Sequence, residues 1–430
     1  MIQLNFSLRL SRLHRTAAMR AAITVLSGVV ICASPTLYAQ QYSVLHSFTG
    51  GADGSIPLGG MAIDATGTIY GVTNGELGSH GTVYRLNPHN GGFVLNTLYT
   101  FTGGNDGSTP VTVIIGPDGA LYGSTGGGGQ SGLGVIFRLQ PPPTFCATVS
   151  CPWTETVLYN FMPGGIDAAY PAGQLAFDAS GALYGTGESG GGDLTCGPNL
   201  GCGAIFKLTR SGNQWTESVL YGFQQNGVAG YLPLSGVTLD ASGNLYGTTA
   251  AGGPNTGCTN GYGCGTAYEL TASGSIKALY GFNGSTSGGK PLAGLTFDHS
   301  GNLLGATFEG GSQLGGTVFE LSPAGNNWNF NLVYSLYSNG GYGPFWNLTM
   351  DPAGNFYGTT STDGPAQAGN VFQLTPTDGG WQYNDIHNFQ QDNNGWDPEG
   401  GVVVDAAGNV YGTTAFGGSD SRGTIWEITP

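Results

Sequence analysis

Short stretches in which apolar and polar residues alternate recur along residues 42–430, separated by turns rich in Gly, Asp, Ser and Asn. The best-kept stretch is an apolar run, then Asp-x-x-Gly, then two residues and Tyr-Gly, as in 237–247 (VTLDASGNLYG). A side-chain period of two is typical of β-strands with one buried face. Because tight polar turns join neighbouring antiparallel strands, the pattern predicts a series of β-hairpins.

Seven copies of this stretch align on the residue before its final Gly. Successive anchor residues lie 52 to 62 residues apart, and only the fifth is not Tyr. The anchors are Tyr70, Tyr122, Tyr184, Tyr246, Leu304, Tyr357 and Tyr411. A fixed period of this length is typical of repeat architectures.

Each copy contains four strand-like segments. In the fifth copy we expect strands at 294–298, 302–307 and 316–321, with a tight turn at 299–301, and then the segment 322–324 before a fourth strand ending at Leu336. Four short strands per repeat are typical of a propeller blade, and the extra length must lie in loops. A β-helix would show shorter coils, and a two-sheet sandwich would not need seven equivalent copies. The sequence therefore predicts an all-β, seven-bladed β-propeller.

The two ends of the repeat region are complementary. Segment 43–48 (SVLHSF) resembles the fourth strand of a copy, whereas the chain stops after 423–428 (GTIWEI), a third strand. Pairing the two would close the ring and remove two unpaired strand edges. We therefore expect the N-terminal strand to complete the seventh blade.

The first 39 residues resemble a secretory signal. Arg9, Arg12, Arg15 and Arg20 form a basic region, and the apolar stretch 21–33 is short for a bilayer span. We predict a signal peptide at 1–39, cleaved near Ala39, and one propeller domain at 40–430, with no transmembrane segment in the mature chain. An uncleaved membrane anchor is the alternative.

Composition and charge narrow the range of partners. Gly accounts for 80 of 430 residues, which suits a turn-rich β fold because 39% hydrophobic residues argue against disorder. Four of the 11 basic residues lie in the signal, so 7 remain against 26 acidic residues, a net charge of −19. This surface would repel nucleic acid, which we exclude as a partner, and leaves Ca²⁺ open.

The mature chain has six Cys in three close pairs. An even number of Cys in an exported protein favours disulfides, and a zinc site lacks a CxxC motif and a His partner here. The predicted pairs are Cys146 with Cys151, Cys196 with Cys202, and Cys258 with Cys264.

The repeat resembles a known family. The string GNLYGTT at 243–249 with GTAYEL at 265–270, and more loosely 354–360 with 369–374, is similar to the Gloeo-Verruco (GloVer) repeat. Proteins with this repeat are choice-of-anchor tandem-repeat proteins of bacterial surfaces. The resemblance covers nearly all of 42–430 and implies an extracellular or cell-surface propeller, without implying an activity. We find no C-terminal sorting segment, so we expect release or retention through the N-terminus.

Candidate ligand-binding residues lie in the loops that lead into the first strand of each copy. Every copy has a Pro there, and the first two loops read GGADG (50–54) and GGNDG (103–107). Asp53, Asp106 and Asp167 are the candidate ligand-binding residues, because carboxylates on rigid Gly turns can bind Ca²⁺ or sugar hydroxyls. The alternative is that each Asp caps its own turn.

No catalytic constellation is evident. Glu76, Glu188, Glu309 and Asp363 lie in the loops after second strands, but at different offsets from the anchor residue. A pair of them could perform acid/base chemistry in glycoside hydrolysis. We assign no catalytic residues, no bound metal and no cofactor.

Four Trp recur near the connection between third and fourth strands, on the opposite face. They are Trp153, Trp215, Trp328 and Trp381. Blade-to-blade packing explains them more simply than sugar stacking, which stays open.

The function that these observations favour is a monomeric, non-catalytic binding scaffold outside the cell, for a glycan, a protein or an envelope component. Alternatives are a secreted carbohydrate-active enzyme with carboxylates at the propeller centre, and a structural surface-layer component.

Overall fold

The computed structural model describes residues 40–76, 78–142, 153–196, 201–225, 227–255, 257–258, 262–337 and 342–430. The described residues form 28 β-strands and one 3-10 helix, Leu194–Cys196. The strands make seven four-stranded antiparallel sheets, one per repeat, which confirms the predicted seven-bladed propeller. The predicted signal segment 1–39 and the pair Cys146 and Cys151 lie outside the described residues.

Blades are numbered along the chain, and the first strand of each blade lies nearest the axis. Blade 1 is β2 (Ala62–Ile63), β3 (Ile69–Thr73), β4 (Thr82–His89) and β5 (Gly92–Thr100); blade 2 is β6 (Ser108–Ile115), β7 (Leu121–Gly127), β8 (Val135–Gln140) and β9 (Thr154–Asn160); blade 3 is β10 (Ala168–Phe177), β11 (Leu183–Gly190), β12 (Ala204–Ser211) and β13 (Gln214–Gly222); blade 4 is β14 (Thr238–Leu239), β15 (Leu245–Thr249), β16 (Thr266–Leu270) and β17 (Ile276–Gly281). Blade 5 is β18 (Thr296–Phe297), β19 (Leu303–Thr307), β20 (Leu314–Ala324) and β21 (Asn327–Tyr337); blade 6 is β22 (Thr349–Met350), β23 (Phe356–Thr360), β24 (Asn370–Thr377) and β25 (Gly380–Asn388); blade 7 is β26 (Val403–Val404), β27 (Val410–Thr414), β28 (Thr424–Thr429) and β1 (Gln41–Ser47).

The seventh blade is closed as predicted. Strand β1 pairs with β28 in antiparallel register from Gln41 opposite Thr429 to Ser47 opposite Thr424. The first and last described strands therefore share one sheet. Strand β1 covers the edge of β28 that would otherwise be unpaired.

A Gly in each second strand makes room for an aromatic ring on the third strand of the same blade. Each Gly lies opposite the aromatic residue in the ladder, as Gly71 does with Tyr84. A Cβ added at these Gly would lie 2.0–2.6 Å from ring or hydroxyl atoms. The pairs are Gly71 with Tyr84, Gly123 with Phe137, Gly185 with Phe206, Gly247 with Tyr268, Gly305 with Phe319, Gly358 with Phe372 and Gly412 with Trp426. The repeated Tyr-Gly therefore serves the core of each blade.

Six of the seven blade junctions share one contact between a Gly and a Pro. The Gly before the third strand of one blade has φ between +82° and +100°. A Cβ added there would lie 2.3–2.8 Å from Cδ of the Pro in the next blade's first loop. The pairs are Gly81 with Pro110, Gly134 with Pro171, Gly203 with Pro233, Gly265 with Pro291, Gly369 with Pro398 and, across the ring closure, Gly423 with Pro57. Only Gly fits this conformation and this space.

The residue before each of these six Pro is left-handed although it is not Gly. The φ angles run from 49° to 60°. These residues are Ile56, Thr109, Tyr170, Leu232, Lys290 and Asp397. Each donates its backbone N–H to a carbonyl of the preceding blade at 2.8–3.0 Å. The bond between blades holds a backbone that is costly for β-branched residues such as Ile56 and Thr109.

Candidate functional site

The Pro loops and the loops between second and third strands share one face of the ring, which we call the Pro-loop face. Two cavities of ≈ 410 Å³ and ≈ 210 Å³ are lined by residues of these loops, and a third of ≈ 590 Å³ follows the innermost strands. We call them the axial cavity, the side cavity and the lower channel. Trp346 lines all three, so its indole lies in the wall between them.

Trp346 breaks the repeat at a position where the other copies have a small residue. The second residue after the Pro is Gly59, Thr112, Gly173, Ser235, Ala293, Trp346 and Gly400 in the seven copies. The indole extends from blade 6 past Gly401 of blade 7 to Gly60 of blade 1, where an added Cβ would lie 3.1 Å from it. Its Nε1 donates to the backbone oxygen of Leu58 at 2.9 Å. Small residues of two neighbouring blades therefore make the space in which this side chain lies.

The axial cavity combines aromatic rings with one carboxylate. Tyr170, Phe345 and Trp346 line it, each half-buried, together with Glu188 and several small residues. Glu188 is solvent-exposed at the cavity, and partial removal of its hydration by the cavity walls raises its pKa. Aromatic faces and a hydrogen-bond acceptor in one concave site are suited to a ligand with both apolar and hydroxyl surfaces.

The side cavity contains a second carboxylate that interrupts the repeat. The first residue after the Pro is apolar in six copies and Glu399 in the seventh. Glu399 lines the side cavity with Asn74, Phe345 and Trp346. Burial, and then the neighbouring charge of Asp397, raises the pKa of Glu399 to about 7. Burial also raises the pKa of Asp397 to about 6. Both groups therefore take up a proton more readily than exposed carboxylates.

The lower channel is lined by residues from all seven blades, and the hydroxyls of its three Thr are already engaged. Thr238, Thr296 and Thr349 donate to backbone oxygens of the next blade at 2.5–2.7 Å. The channel is therefore a region of blade-to-blade bonding whose wall also contains apolar side chains and the amides Gln174 and Asn347.

The predicted ligand-binding carboxylates bond to their own loops. Asp53 accepts from the backbone N–H and the hydroxyl of Thr49, and Asp106 accepts in the same way from Thr102. Asp167 accepts from the N–H of Met162 and the hydroxyl of Tyr159. Burial acts to raise the pKa of Asp53 and of Asp106. The hydrogen bonds outweigh it and hold both pKa values below the ordinary value. Ligand binding by these three residues stays a prediction.

Two of these Asp have a second acid beside them. Glu155 on β9 is close to Asp106, and burial, followed by that charge, raises the pKa of Glu155 to about 7. Glu217 on β13 is close to Asp167, and burial, followed by that charge, raises the pKa of Glu217 to about 8. The protonated Glu217 can donate to Asp167, which accounts for two half-buried carboxyl groups at one place.

The acids considered for catalysis do not form one constellation. Glu76 pairs with Arg422 at the ring closure, and Glu309 pairs with Lys290 at 2.9 Å. Asp363 is buried, which raises its pKa to about 6, and it accepts from the N–H of Gly364 at 2.7 Å. Of the four, Glu188 lies in the axial cavity beside Trp346.

The Asp of Asp-x-x-Gly has a structural role. Its Oδ1 accepts backbone N–H groups of its own turn, and its Oδ2 accepts the hydroxyl of the anchor Tyr at 3.0–3.2 Å in six copies.

The repeated Trp pack on aromatic rings at 5.5–6.3 Å. The pairs are Trp153 with Tyr70, Trp215 with Tyr122, Trp328 with Tyr246 and Trp381 with Phe356. The first three of these contacts join neighbouring blades.

Two disulfides are present among the described residues, Cys196–Cys202 and Cys258–Cys264. Each closes a short loop between the second and third strand of its blade.

The described residues contain no group of three or more His, Cys, Asp or Glu side chains placed to hold a metal ion. No helix among them has the length and apolar character needed to cross a membrane.

Sequence reasoning missed Trp346 and Glu399 as site residues. The acidic residues considered from the sequence lie in the loops after second strands, whereas Trp346 and Glu399 interrupt the repeat in the Pro loops. Aligning the seven copies on their Pro, instead of on the anchor Tyr, makes both substitutions visible.

Comparisons with known proteins support the fold. A comparison with curated proteins finds no match. Among solved structures, the chain is similar to two extracellular domains from B. thetaiotaomicron, each named as part of a hybrid two component system. Their TM-scores are 0.53 and 0.51 at 12% identity, and the matches cover 90% of this chain. The chain spans only 39% and 41% of those longer chains.

A family model for a tandem repeat covers nearly the whole chain, in two matches at residues 26–259 and 256–430. These matches include all seven blades and the residues around Trp346. The chain therefore belongs to the Gloeobacter/Verrucomicrobia repeat family.

Proposed function

We propose that this protein is a non-catalytic binding protein of the cell exterior that holds a glycan in the axial cavity, against Trp346. The observation that carries the proposal is a single large aromatic residue at a position that is small in the six other copies. A carbohydrate ring presents an apolar face to an aromatic side chain and hydroxyls to acceptors, and the cavity offers both.

The surroundings of the cavity favour an uncharged, hydroxylated ligand over an anion. Glu188 lines the axial cavity and Glu399 lines the adjoining side cavity, whereas neither cavity has Lys or Arg among its lining residues in the described chain. The acidic composition of the whole chain acts in the same direction.

We further propose that residues 1–39 are a signal peptide and that 40–430 work outside the cytoplasm. The two disulfides support this location, because such bonds persist in oxidising compartments. The basic and apolar pattern of the first 39 residues supports it independently.

Calorimetric titration with soluble glucans, mannans, xylans and peptidoglycan fragments tests the proposal. We expect one fraction to bind, and Trp346→Ala to weaken that binding at least tenfold, on the order of the contribution of one stacked aromatic ring. Ala293 occupies the equivalent position in blade 5, so the backbone at this position is compatible with Ala.

Trp215→Phe is the matched control, because Trp215 packs on Tyr122 between blades 2 and 3. It should leave affinity unchanged. Binding that survives Trp346→Ala would contradict the proposed site. Release of new reducing ends by the wild type, lost in Glu188→Gln or Glu399→Gln, would instead support a carbohydrate-active enzyme.

A further inference from the structure

A fourth cavity, of ≈ 330 Å³, lies beside the axial cavity on the Pro-loop face, between blades 2 and 3. We call it the peripheral cavity. Leu133 of blade 2 and Met162, Asp167, Ala169 and Ser189 are among the residues that line it. Met162 is 48% exposed, so its apolar side chain forms part of an open rim.

The peripheral cavity and the axial cavity share a wall. Tyr170 lines both. Glu188 of the axial cavity and Ser189 of the peripheral cavity are consecutive residues of β11. The two cavities therefore adjoin at Tyr170, and we call the pair, which extends outward from Trp346 to Met162, the groove.

The wall of this groove is a local extension of the sheet. Strands β10 and β11 have 10 and 8 residues, whereas the corresponding strands of blades 1, 4, 5, 6 and 7 have 2 and 5. The added ladder pairs small residues, Ala168 with Gly190 and Ala169 with Ser189. Small side chains on this ladder leave the groove open.

The lining chemistry is the same along the groove. Tyr170 and Met162 supply apolar surface, Glu188 and Asp167 supply carboxylates, and no Lys or Arg is among the described lining residues of either cavity. Each cavity lies near the lower end of the range for small-ligand sites, about 300–1,000 Å³. A neutral, hydroxylated ligand made of repeated units fits both cavities.

We propose that the ligand is a neutral oligosaccharide that occupies the axial and peripheral cavities together, with adjacent sugar units on either side of Tyr170. This inference rests on the proposed glycan function and adds the length of the ligand. A monosaccharide or disaccharide fills only one of the two cavities.

Affinity as a function of chain length tests the inference. Neutral xylan-, glucan- and mannan-derived oligosaccharides of one to six units are titrated into the wild type, into Trp346→Ala and into the double variant Leu133→Ala/Met162→Ala. Ile166→Ala is the matched control, because Ile166 is 78% exposed next to the peripheral cavity but does not line it.

We expect wild-type affinity to rise about tenfold from the disaccharide to the tetrasaccharide, or about 1.4 kcal/mol. The double variant should bind the disaccharide normally and lose the rise, whereas Ile166→Ala should keep it. Trp346→Ala should weaken every length.

Two negative results separate the two proposals. Equal affinity for all lengths, or an unchanged rise in the double variant, would overturn the extended groove and leave the axial site standing. No binding of any neutral glycan would overturn the glycan function itself, and preferential binding of oligolysine would indicate a cationic peptide instead.

Discussion

The aromatic residue on each third strand varies among Phe, Tyr and Trp, and the variation has an energetic consequence. Tyr84 and Tyr268 are fully buried, and neither hydroxyl has a hydrogen-bond partner among the described residues. The Phe of blades 2, 3, 5 and 6 fill the same place without a polar atom. Burying an unpaired hydroxyl costs free energy that Phe does not lose.

Tyr268→Phe should therefore stabilise the protein by about 1 kcal/mol, measured as the free energy of unfolding in denaturant. Tyr246→Phe, on the neighbouring strand, is the contrasting variant. Its hydroxyl donates to Asp240 at 3.2 Å, so its loss should destabilise the protein by a similar amount. Equal effects of the two changes would refute this explanation.

At the scale of the strand, the sequence predicted the number and order of strands but not their lengths. In blade 5 the expected first strand 294–298 is reduced to β18, because Gly294 donates its N–H to Asn347 of blade 6 at 2.7 Å instead of to its own sheet. The segment 322–324 is part of the third strand. Pro323 lies inside β20 opposite Trp328, and the turn uses Gly325 at φ 63°.

These differences have one physical origin. Local patterns report alternation and turn-forming residues, whereas strand ends are decided by bonds between blades that the alignment of one repeat does not contain. The same limit applies to the site. Asp53, Asp106 and Asp167 were visible as loop carboxylates, but the convergence of Trp346, Glu188 and Tyr170 from blades 6 and 3 depends on how the ring closes.

Two acids on the outer strands β9 and β13 should make the stability of the protein depend on pH. Glu155 and Glu217 have pKa values raised to about 7 and about 8, above the ordinary carboxyl value of the unfolded chain. The folded protein therefore retains protons that the unfolded chain releases. Their contribution to stability is complete below about pH 4.5 and is lost as the pH rises through 7 to 8.

The melting temperature should consequently fall between pH 5.5 and pH 9, and Glu217→Gln should reduce this fall by a few degrees. Gln keeps the shape of the protonated acid and cannot ionise, so its hydrogen bond to Asp167 survives at high pH. Asp420→Asn, an exposed change, should leave the slope of the wild type unaltered. An identical slope in Glu217→Gln would show that Glu217 does not retain its proton in the folded protein.

At the scale of the whole molecule, the ring is closed by the same contacts that join the other blades. Pro57 lies against Gly423, and Ile56 donates its N–H to Arg422 at 2.9 Å. Strand β1 adds a ladder to β28 and the fully buried Phe48. The sequence predicted this closure because its two terminal segments belonged to complementary strand types.

A chain that begins at Thr49 should unfold at a lower temperature than one that begins at Gln40. Loss of Phe48 alone costs about 3–5 kcal/mol, and the exposed edge of β28 becomes open to pairing with other molecules. Scanning calorimetry measures the first effect and light scattering the second. A synthetic peptide of residues 40–48 should restore part of the lost stability, and failure of the truncation to change either quantity would contradict the role of β1.

The position of Trp346 has a consequence for how such a ring acquires a site. The channel along the innermost strands adjoins every copy around the ring, and the indole of Trp346 lines it. Seven identical copies would bring seven indoles to that channel or none. A central aromatic group is attainable only when one copy diverges, so the propeller must give up its internal symmetry at the very place where all its copies meet.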